Sequence, residues 1–125
     1  MNTNTWFRVV GSLVMLMCMP TVGYACSMLS YNLDDAVTKL NRTLRSTNFD
    51  DAKDNANRAR RALDDAAMSA DSCGCSYAYS ELDDSARRAR RASNASSVDE
   101  FNDEIRKSVR DFNSGIDAVR SCSRQ

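Results

Sequence analysis

Residues 71–80 read DSCGCSYAYS, so only Gly74 separates Cys73 from Cys75. A Cys-x-Cys pair of this kind fits a metal-ligand pair, a redox site or one half of each of two different disulfides. A bond between these two cysteines would be strained, because a disulfide requires specific spacing and orientation of the residues it joins. Their partners are therefore expected elsewhere in the chain.

The first 25 residues differ in composition from the rest. Arg8 precedes an apolar run at residues 9–19, which is followed by a proline and by the small-residue end Gly23-Tyr24-Ala25. This layout is typical of a secretory signal peptide, and the run is shorter than the about 20 apolar residues of a membrane span. We therefore expect residues 1–25 to be a signal peptide, and the protein to be periplasmic or secreted.

A lipoprotein anchored at Cys26 is the alternative to simple cleavage. Lipid attachment favours leucine or a similar residue three positions before the cysteine and a small residue two positions before it. Gly23 and Tyr24 stand at those positions. Lipid on Cys26 would also leave another cysteine without a disulfide partner, so the pattern favours cleavage without lipid.

The predicted mature domain, residues 26–125, is nearly neutral. It holds 16 Lys+Arg, because Arg8 is lost from the total of 17, against 17 Asp+Glu. This balance disfavours nucleic-acid binding. The predicted mature chain contains no apolar run long enough to span a membrane. There is no histidine for a Ser-His-Asp or Cys-His set and no glycine-rich phosphate loop. We therefore expect no enzyme and no cofactor.

The mature chain is internally duplicated. A shift of 49 positions aligns residues 26–73 with residues 75–122 without a gap, and both terminal cysteines of the first unit fall on those of the second. In total, 11 of the 48 aligned positions are identical. Self-similarity of this kind indicates repeated supersecondary units. We therefore predict two copies of one unit, 26–73 and 75–122.

Each unit reads as two helices. Apolar residues recur at alternating steps of three and four, the spacing of one helix face packed against a neighbour, and this face includes Leu44, Tyr79 and Val98. Polar breaks separate the helices and contain capping residues, Asn48 in the first unit and Ser97 with Glu100 in the second. The predicted helices are residues 26–46, 48–72, 75–94 and 97–121.

The short breaks require consecutive helices to be antiparallel, so the start of one helix lies beside the end of the next. Cys26 then meets Cys73 and Cys75 meets Cys122, with Gly74 allowing the tight reversal between the pairs. The predicted fold is an all-α, disulfide-stapled antiparallel four-helix bundle built from two duplicated helical hairpins. An even cysteine number in an exported chain favours disulfides, while a four-cysteine site for zinc or copper is the alternative.

An arginine belt is the most distinctive surface pattern. It consists of RARR in the second predicted helix and RRARR in the third: Arg58, Arg60, Arg61, Arg87, Arg88, Arg90 and Arg91. Both segments lie at similar distances from Gly74, so antiparallel neighbours place them at one height of the bundle. Guanidinium groups bind carboxylates and phosphates bidentately, which favours an acidic partner protein or an anionic envelope component.

A solvated face with helical ion pairs explains the same belt. Acids four residues away give the expected pairs Asp54–Arg58, Arg60–Asp64, Arg61–Asp65, Asp83–Arg87 and Asp84–Arg88. Arg90 and Arg91 have no acid at that spacing, so they are the first choices for partner contact. The predicted function is an exported, non-catalytic interaction module. The alternatives are a zinc or copper protein and a periplasmic inhibitor or immunity protein.

Overall fold

The computed structural model describes residues 24–123, which form four helices and no strand. The helices span Tyr24–Arg45 (α1), Phe49–Ser72 (α2), Ser76–Ser93 (α3) and Val98–Ser123 (α4). The all-helical prediction is confirmed, with helix ends shifted by up to two residues. Residues 1–23 of the predicted signal peptide lie outside the described residues. None of the described helices is long and apolar enough to cross a membrane.

Two disulfides close the two hairpins. Cys26 is bonded to Cys73 and Cys75 to Cys122, with Cα–Cα distances of 5.1 and 5.7 Å and the same sequence separation of 47 residues. The predicted pairing is confirmed. The equal spans fit the predicted duplication.

Gly74 makes the reversal between the hairpins. Its φ of 86° lies in the left-handed region that side-chain-bearing residues rarely adopt. The Cys75 N–H donates to the Ala70 carbonyl at 2.9 Å, and the Gly74 N–H donates to the Asp71 carbonyl at 3.0 Å. These two bonds form a Schellman motif, which satisfies the last carbonyls of α2 and starts α3 at once.

The predicted caps are present at the start of α2 and of α4. The Asn48 Oδ1 accepts a hydrogen bond from the Asp51 N–H at 2.8 Å. The Ser97 Oγ accepts from the Glu100 N–H at 3.1 Å, while the Glu100 carboxylate accepts from the Ser96 N–H at 3.2 Å. Each cap satisfies backbone donors that have no partner inside the helix.

The core combines small and large side chains. The buried residues of α2 are alanines apart from Leu63, and α3 likewise buries alanines around Leu82 and Ser85. The helices α1 and α4 supply larger groups, among them Leu33 and Phe112, to the same continuous cluster. Because alanine is small, α2 and α3 bury little apolar area per residue. The same small side chain lets the helices pack closely.

Helices that follow each other in the chain pack most closely, and α2 also approaches α4. The rings of Phe49 and Phe101 meet edge to face there, with centroids 6.0 Å apart. In the second hairpin the cysteine contact is followed by a contact between Ser85 and Ser108. The partner number falls as the residue number rises, which fits the predicted antiparallel arrangement.

The buried faces are wider than the predicted ones and shifted at their margins. Leu44, Tyr79 and Val98 are 42, 38 and 54 % exposed, so they are not core residues as predicted. A helix in a bundle contacts more than one neighbour, and its buried stripe exceeds a single three-four seam. The additional buried residues are Leu29, Ala36, Thr43, Ala62, Ala67, Ala78, Ser85, Ala92, Ala95, Ile116 and Ala118.

The contact between α3 and α4 is especially close. The Ser85 hydroxyl donates to the Ser108 carbonyl at 2.7 Å, and the Ser108 hydroxyl donates to the Ser85 carbonyl at 2.8 Å. Both serines are fully buried. Further along, Gly115 packs against Leu82, and a Cβ on Gly115 would lie 2.9 Å from the Leu82 Cγ. The absence of a side chain at this position is therefore required by the helix spacing.

Candidate interaction surface

The arginine belt lies on α2 and α3, and its members differ in exposure. Arg60 and Arg88 are half-buried, while the other five are exposed. At a rise of about 1.5 Å per residue, the two segments are at a similar height above the Gly74 reversal. The belt is therefore a mid-bundle surface and is separate from the disulfide end.

Three of the predicted helical ion pairs are formed. The shortest N–O distances are 3.3 Å for Arg58–Asp54, 3.0 Å for Arg60–Asp64 and 2.9 Å for Arg87–Asp83. The side chains of Arg58 and Arg87 are 56 and 68 % exposed. Exposed pairs of this kind contribute only about 0.2–1 kcal/mol, so a partner's carboxylate can displace the local acid at little cost.

Arg88 does not form the predicted pair with Asp84. Its guanidinium crosses to α4 and lies 3.4 Å from Glu104 and 4.0 Å from Asp111. Both acids are largely buried, with side chains 16 and 15 % exposed. Arg88 therefore holds α3 against α4 and is not available to a partner.

The position of Arg88 is encoded in the spacing from the second disulfide. Arg88 stands 13 residues after Cys75, and Asp111 and Glu104 stand 11 and 18 residues before Cys122. In an antiparallel pair the two acids therefore bracket the arginine in height. This signal is non-local and outweighs the four-residue spacing on which the Asp84 prediction depended.

Three belt arginines are exposed and have no ion-pair partner among the described residues: Arg61, Arg90 and Arg91. The predicted Arg61–Asp65 pair is not formed, so Arg61 joins the two arginines singled out from the sequence. These three arginines are the part of the belt best suited to receive an anionic group.

Arg60 is held more firmly than the exposed members. Its Nη1 donates to the Asp64 carboxylate at 3.0 Å and its Nη2 to the Asn57 side-chain carbonyl at 3.2 Å. Its Nε is buried and has no hydrogen-bond partner within the described protein. The bonds to Asp64 and Asn57 fix the direction of the Arg60 guanidinium group before any partner arrives.

Two exposed arginines outside the predicted belt lie on α1. Arg42 and Arg45 line a depression of about 470 Å³ together with Arg58. Asp51 and Asp54 line the same depression, so much of its positive charge is balanced. The sequence signal was available, because Arg42 is the counterpart of Arg91 in the duplicated unit.

Asp34 shows how the paired acids differ between the two units. Its counterpart Asp83 pairs with Arg87, but the residue corresponding to Arg87 in the first unit is Thr38. The Asp34 Oδ1 is buried without a hydrogen-bond partner, and burial raises the pKa of this carboxyl group. Asp34 is therefore a destabilised charge, and its identity with Asp83 in sequence does not extend to environment.

The cysteines beside Gly74 are in the disulfide form. All four cysteines of the described residues are bonded in pairs, and a disulfide sulfur is not the thiolate that zinc or copper(I) prefers. Within residues 24–123 no group of three or more His, Cys, Asp or Glu side chains is placed to hold a metal ion. Comparisons with protein-family models, with curated proteins and with solved structures found no match.

Proposed function

We propose that this chain is an exported, non-catalytic interaction module that binds an acidic partner protein or an anionic envelope component through its arginine surface. The observation that carries the proposal is the state of Arg61, Arg90 and Arg91, which are exposed and unpaired beside arginines that have local acids. Unpaired guanidinium groups attract carboxylates and phosphates and bind them in a planar, bidentate geometry.

The scaffold supports binding because disulfides tie down both helices that carry this surface. Each of the two helices that carry the arginines ends or begins at a disulfide-bonded cysteine, and Gly74 links them directly. A surface that is already ordered loses less conformational entropy when a partner docks. The disulfides also suit an oxidising compartment, which is consistent with the predicted export.

The proposed module acts by occupying its partner and not by chemistry. The chain contains no histidine, and burial raises the pKa of the Asp34 carboxyl group, whose Oδ1 has no hydrogen-bond partner within the described residues. An inhibitor or immunity protein is the special case in which the partner is itself an active protein.

The test compares two variants that remove the same charge. In the first, Arg61, Arg90 and Arg91 are changed to Gln. In the matched control, three other exposed arginines without an ion-pair partner in the described structure are changed to Gln: Arg42, Arg45 and Arg106. Each purified protein, with both disulfides verified by mass, is used to capture components of an envelope extract at low and at physiological salt.

A component that is retained by the wild type and the control, and lost from the first variant, supports the proposal. We expect its recovery to fall as salt rises, because ions screen exposed charges. Equal recovery by all three proteins would show that the belt is only a solvated face. The chemical nature of the lost component, protein or lipid, decides between the two partner classes.

A further inference from the structure

The duplication gives every belt arginine a counterpart 49 residues away, and the counterparts divide the belt in two. Four positions are basic in both units, namely Arg58 with Lys107, Arg61 with Arg110, Arg88 with Lys39, and Arg91 with Arg42. The remaining three, Arg60, Arg87 and Arg90, have Val109, Thr38 and Asn41 as counterparts. Four belt positions are therefore basic in both units. The other three are basic only in the belt, on α2 and α3, and have a neutral counterpart.

The three arginines with neutral counterparts lie where the two hairpins meet. On α3, Arg88 contacts α4, and Arg90 is about 200° further around the helix. On α2, Ser69 bonds to Asn32 of α1, and Arg60 is about two and a half turns away, on the opposite side. Both flanks therefore face the groove between α2 and α3, and Arg87 precedes Arg90 by one turn.

Acids alternate with these arginines along the groove. Asp64 is paired with Arg60 on α2, and Asp83 is paired with Arg87 on α3. We call these four residues, together with Arg90, the hairpin seam. A uniformly anionic surface such as a lipid headgroup layer would meet the two aspartates as well as the arginines, and like charges oppose binding. A protein segment that places its carboxylates only opposite the arginines avoids this repulsion.

The shape of the seam favours a helix. The buried faces of α2 and α3 consist mainly of alanine, which lets the two helices pack closely, and side-chain ridges on packed helices are separated by grooves that another helix can fill. A third helix fits along such a groove with one face, and acids at four-residue spacing on that face repeat at the height of each helical turn.

Resting on the proposed function, we propose that the hairpin seam is the contact surface for an acidic helical segment of a partner protein. Arg90, which has no local acid, receives a carboxylate directly. Arg87 exchanges its exposed bond with Asp83 for one to the partner. Arg60 is fixed by Asp64 and Asn57 and presents a pre-oriented guanidinium.

The experiment uses the intact disulfide-bonded protein and two probes. One is a synthetic alanine-rich peptide of about 20 residues with glutamate at every fourth position, long enough to be helical in water. The other is a vesicle of phosphatidylglycerol. The seam variant changes Arg60, Arg87 and Arg90 to Gln, and the matched control changes Arg106, Lys107 and Arg110 on α4 to Gln. Circular dichroism and thiol titration verify that each variant is folded.

We expect the seam variant to bind the peptide at least about tenfold more weakly than the wild type, since each lost charge-assisted contact affects affinity strongly. The control should remain within about twofold of the wild type. Vesicle binding should be weak and equal in the seam and control variants.

Equal loss of peptide binding in both variants would overturn the seam assignment, because net charge alone would explain it. The proposed function would survive that result if the envelope capture still depended on Arg61, Arg90 and Arg91. Vesicle binding stronger than peptide binding, and lost in the seam variant, would overturn the protein partner in favour of a lipid surface. A wild type that binds neither probe would also overturn the seam assignment.

Discussion

Replacing Gly115 with Ala tests the close packing of α3 against α4. The new Cβ would lie 2.7 Å from the Leu82 Cδ2 and 2.9 Å from its Cγ, whereas carbon atoms pack comfortably at about 3.5–4.0 Å. Leu82 is completely buried and the Cys75–Cys122 disulfide joins the two helices, so neither side is free to retreat. Overpacking costs about 1–3 kcal/mol, and the better helix propensity of Ala returns about 1 kcal/mol.

We therefore expect the free energy of unfolding to fall by about 1 kcal/mol, measured by urea titration with the disulfides intact. In a Leu82→Ala background the same change should raise it, because the obstruction is gone and helix propensity remains. The duplicated unit supplies the control, since Ala66 is the counterpart of Gly115. Ala66→Gly should destabilise by about 1 kcal/mol through helix propensity and by about 0.8 kcal/mol more through the methyl group lost from the core, because Ala66 is completely buried. If Gly115→Ala stabilises the wild-type protein instead, the spacing argument is wrong.

Three further changes probe other parts of the fold. Ser85→Ala and Ser108→Ala should each lower the free energy of unfolding by about 1 kcal/mol, and the double change by less than the sum, because it recreates the alanine pair of the first hairpin; a thermodynamic cycle from urea titrations checks this. Asp34→Asn should raise the free energy of unfolding at neutral pH by less than about 1 kcal/mol, because it removes a charge whose pKa is raised by burial, while solvent screens this only partly buried residue. The wild type binds this proton more readily when folded, so the gain should shrink as pH falls toward the ordinary value of 3.8, which parallel titrations across pH would show. Changing Cys26 and Cys73 together to Ala should cost about 4 kcal/mol, which is a large part of the stability of a small domain, and an unchanged midpoint would contradict the loop-entropy estimate.

The helices and disulfides were predictable because their signals are local or paired. Periodicity locates the apolar faces, Asn48 and Ser97 mark helix starts, and the short breaks bring each cysteine of a hairpin to its partner. The width of the buried faces was not predictable in the same way. It depends on how each helix is rotated between two neighbours, which is why Tyr79 was wrongly assigned to the core.

The ion pairs of the arginine surface follow the same rule: pairs within one helix were predictable from the sequence, and pairs between helices were not. Ion pairs within one helix, such as Arg58–Asp54, follow from four-residue spacing and are present. Arg88 had an equally suitable local acid, but its side chain lies between α3 and α4, where Glu104 and Asp111 are largely shielded from water. Charges attract more strongly in such surroundings, so the non-local partners prevail.

Unpaired buried polar atoms occur where the duplicated units have diverged. Within residues 24–123, three buried side-chain oxygen or nitrogen atoms have no hydrogen-bond partner: the Asp34 Oδ1, the Arg60 Nε and the Asn113 Oδ1. Each has a difference at its counterpart. Arg60 corresponds to Val109, Asn113 corresponds to Asp64, and Asp34 retains its acid but has lost the arginine partner of its counterpart.

Such orphan atoms reduce stability, since a buried polar group without a partner forfeits its hydration. The buried Ser85 and Ser108 of the second hairpin, by contrast, satisfy each other through reciprocal hydrogen bonds. Natural folds depart from full polar pairing mainly at functional sites. The orphaned donor of Arg60 lies on the seam that also carries the arginines specific to α2 and α3. Because this Nε is itself buried, an incoming carboxylate would meet the exposed guanidinium groups of Arg87 and Arg90, and the orphaned donor marks the place where the fold tolerates incomplete pairing.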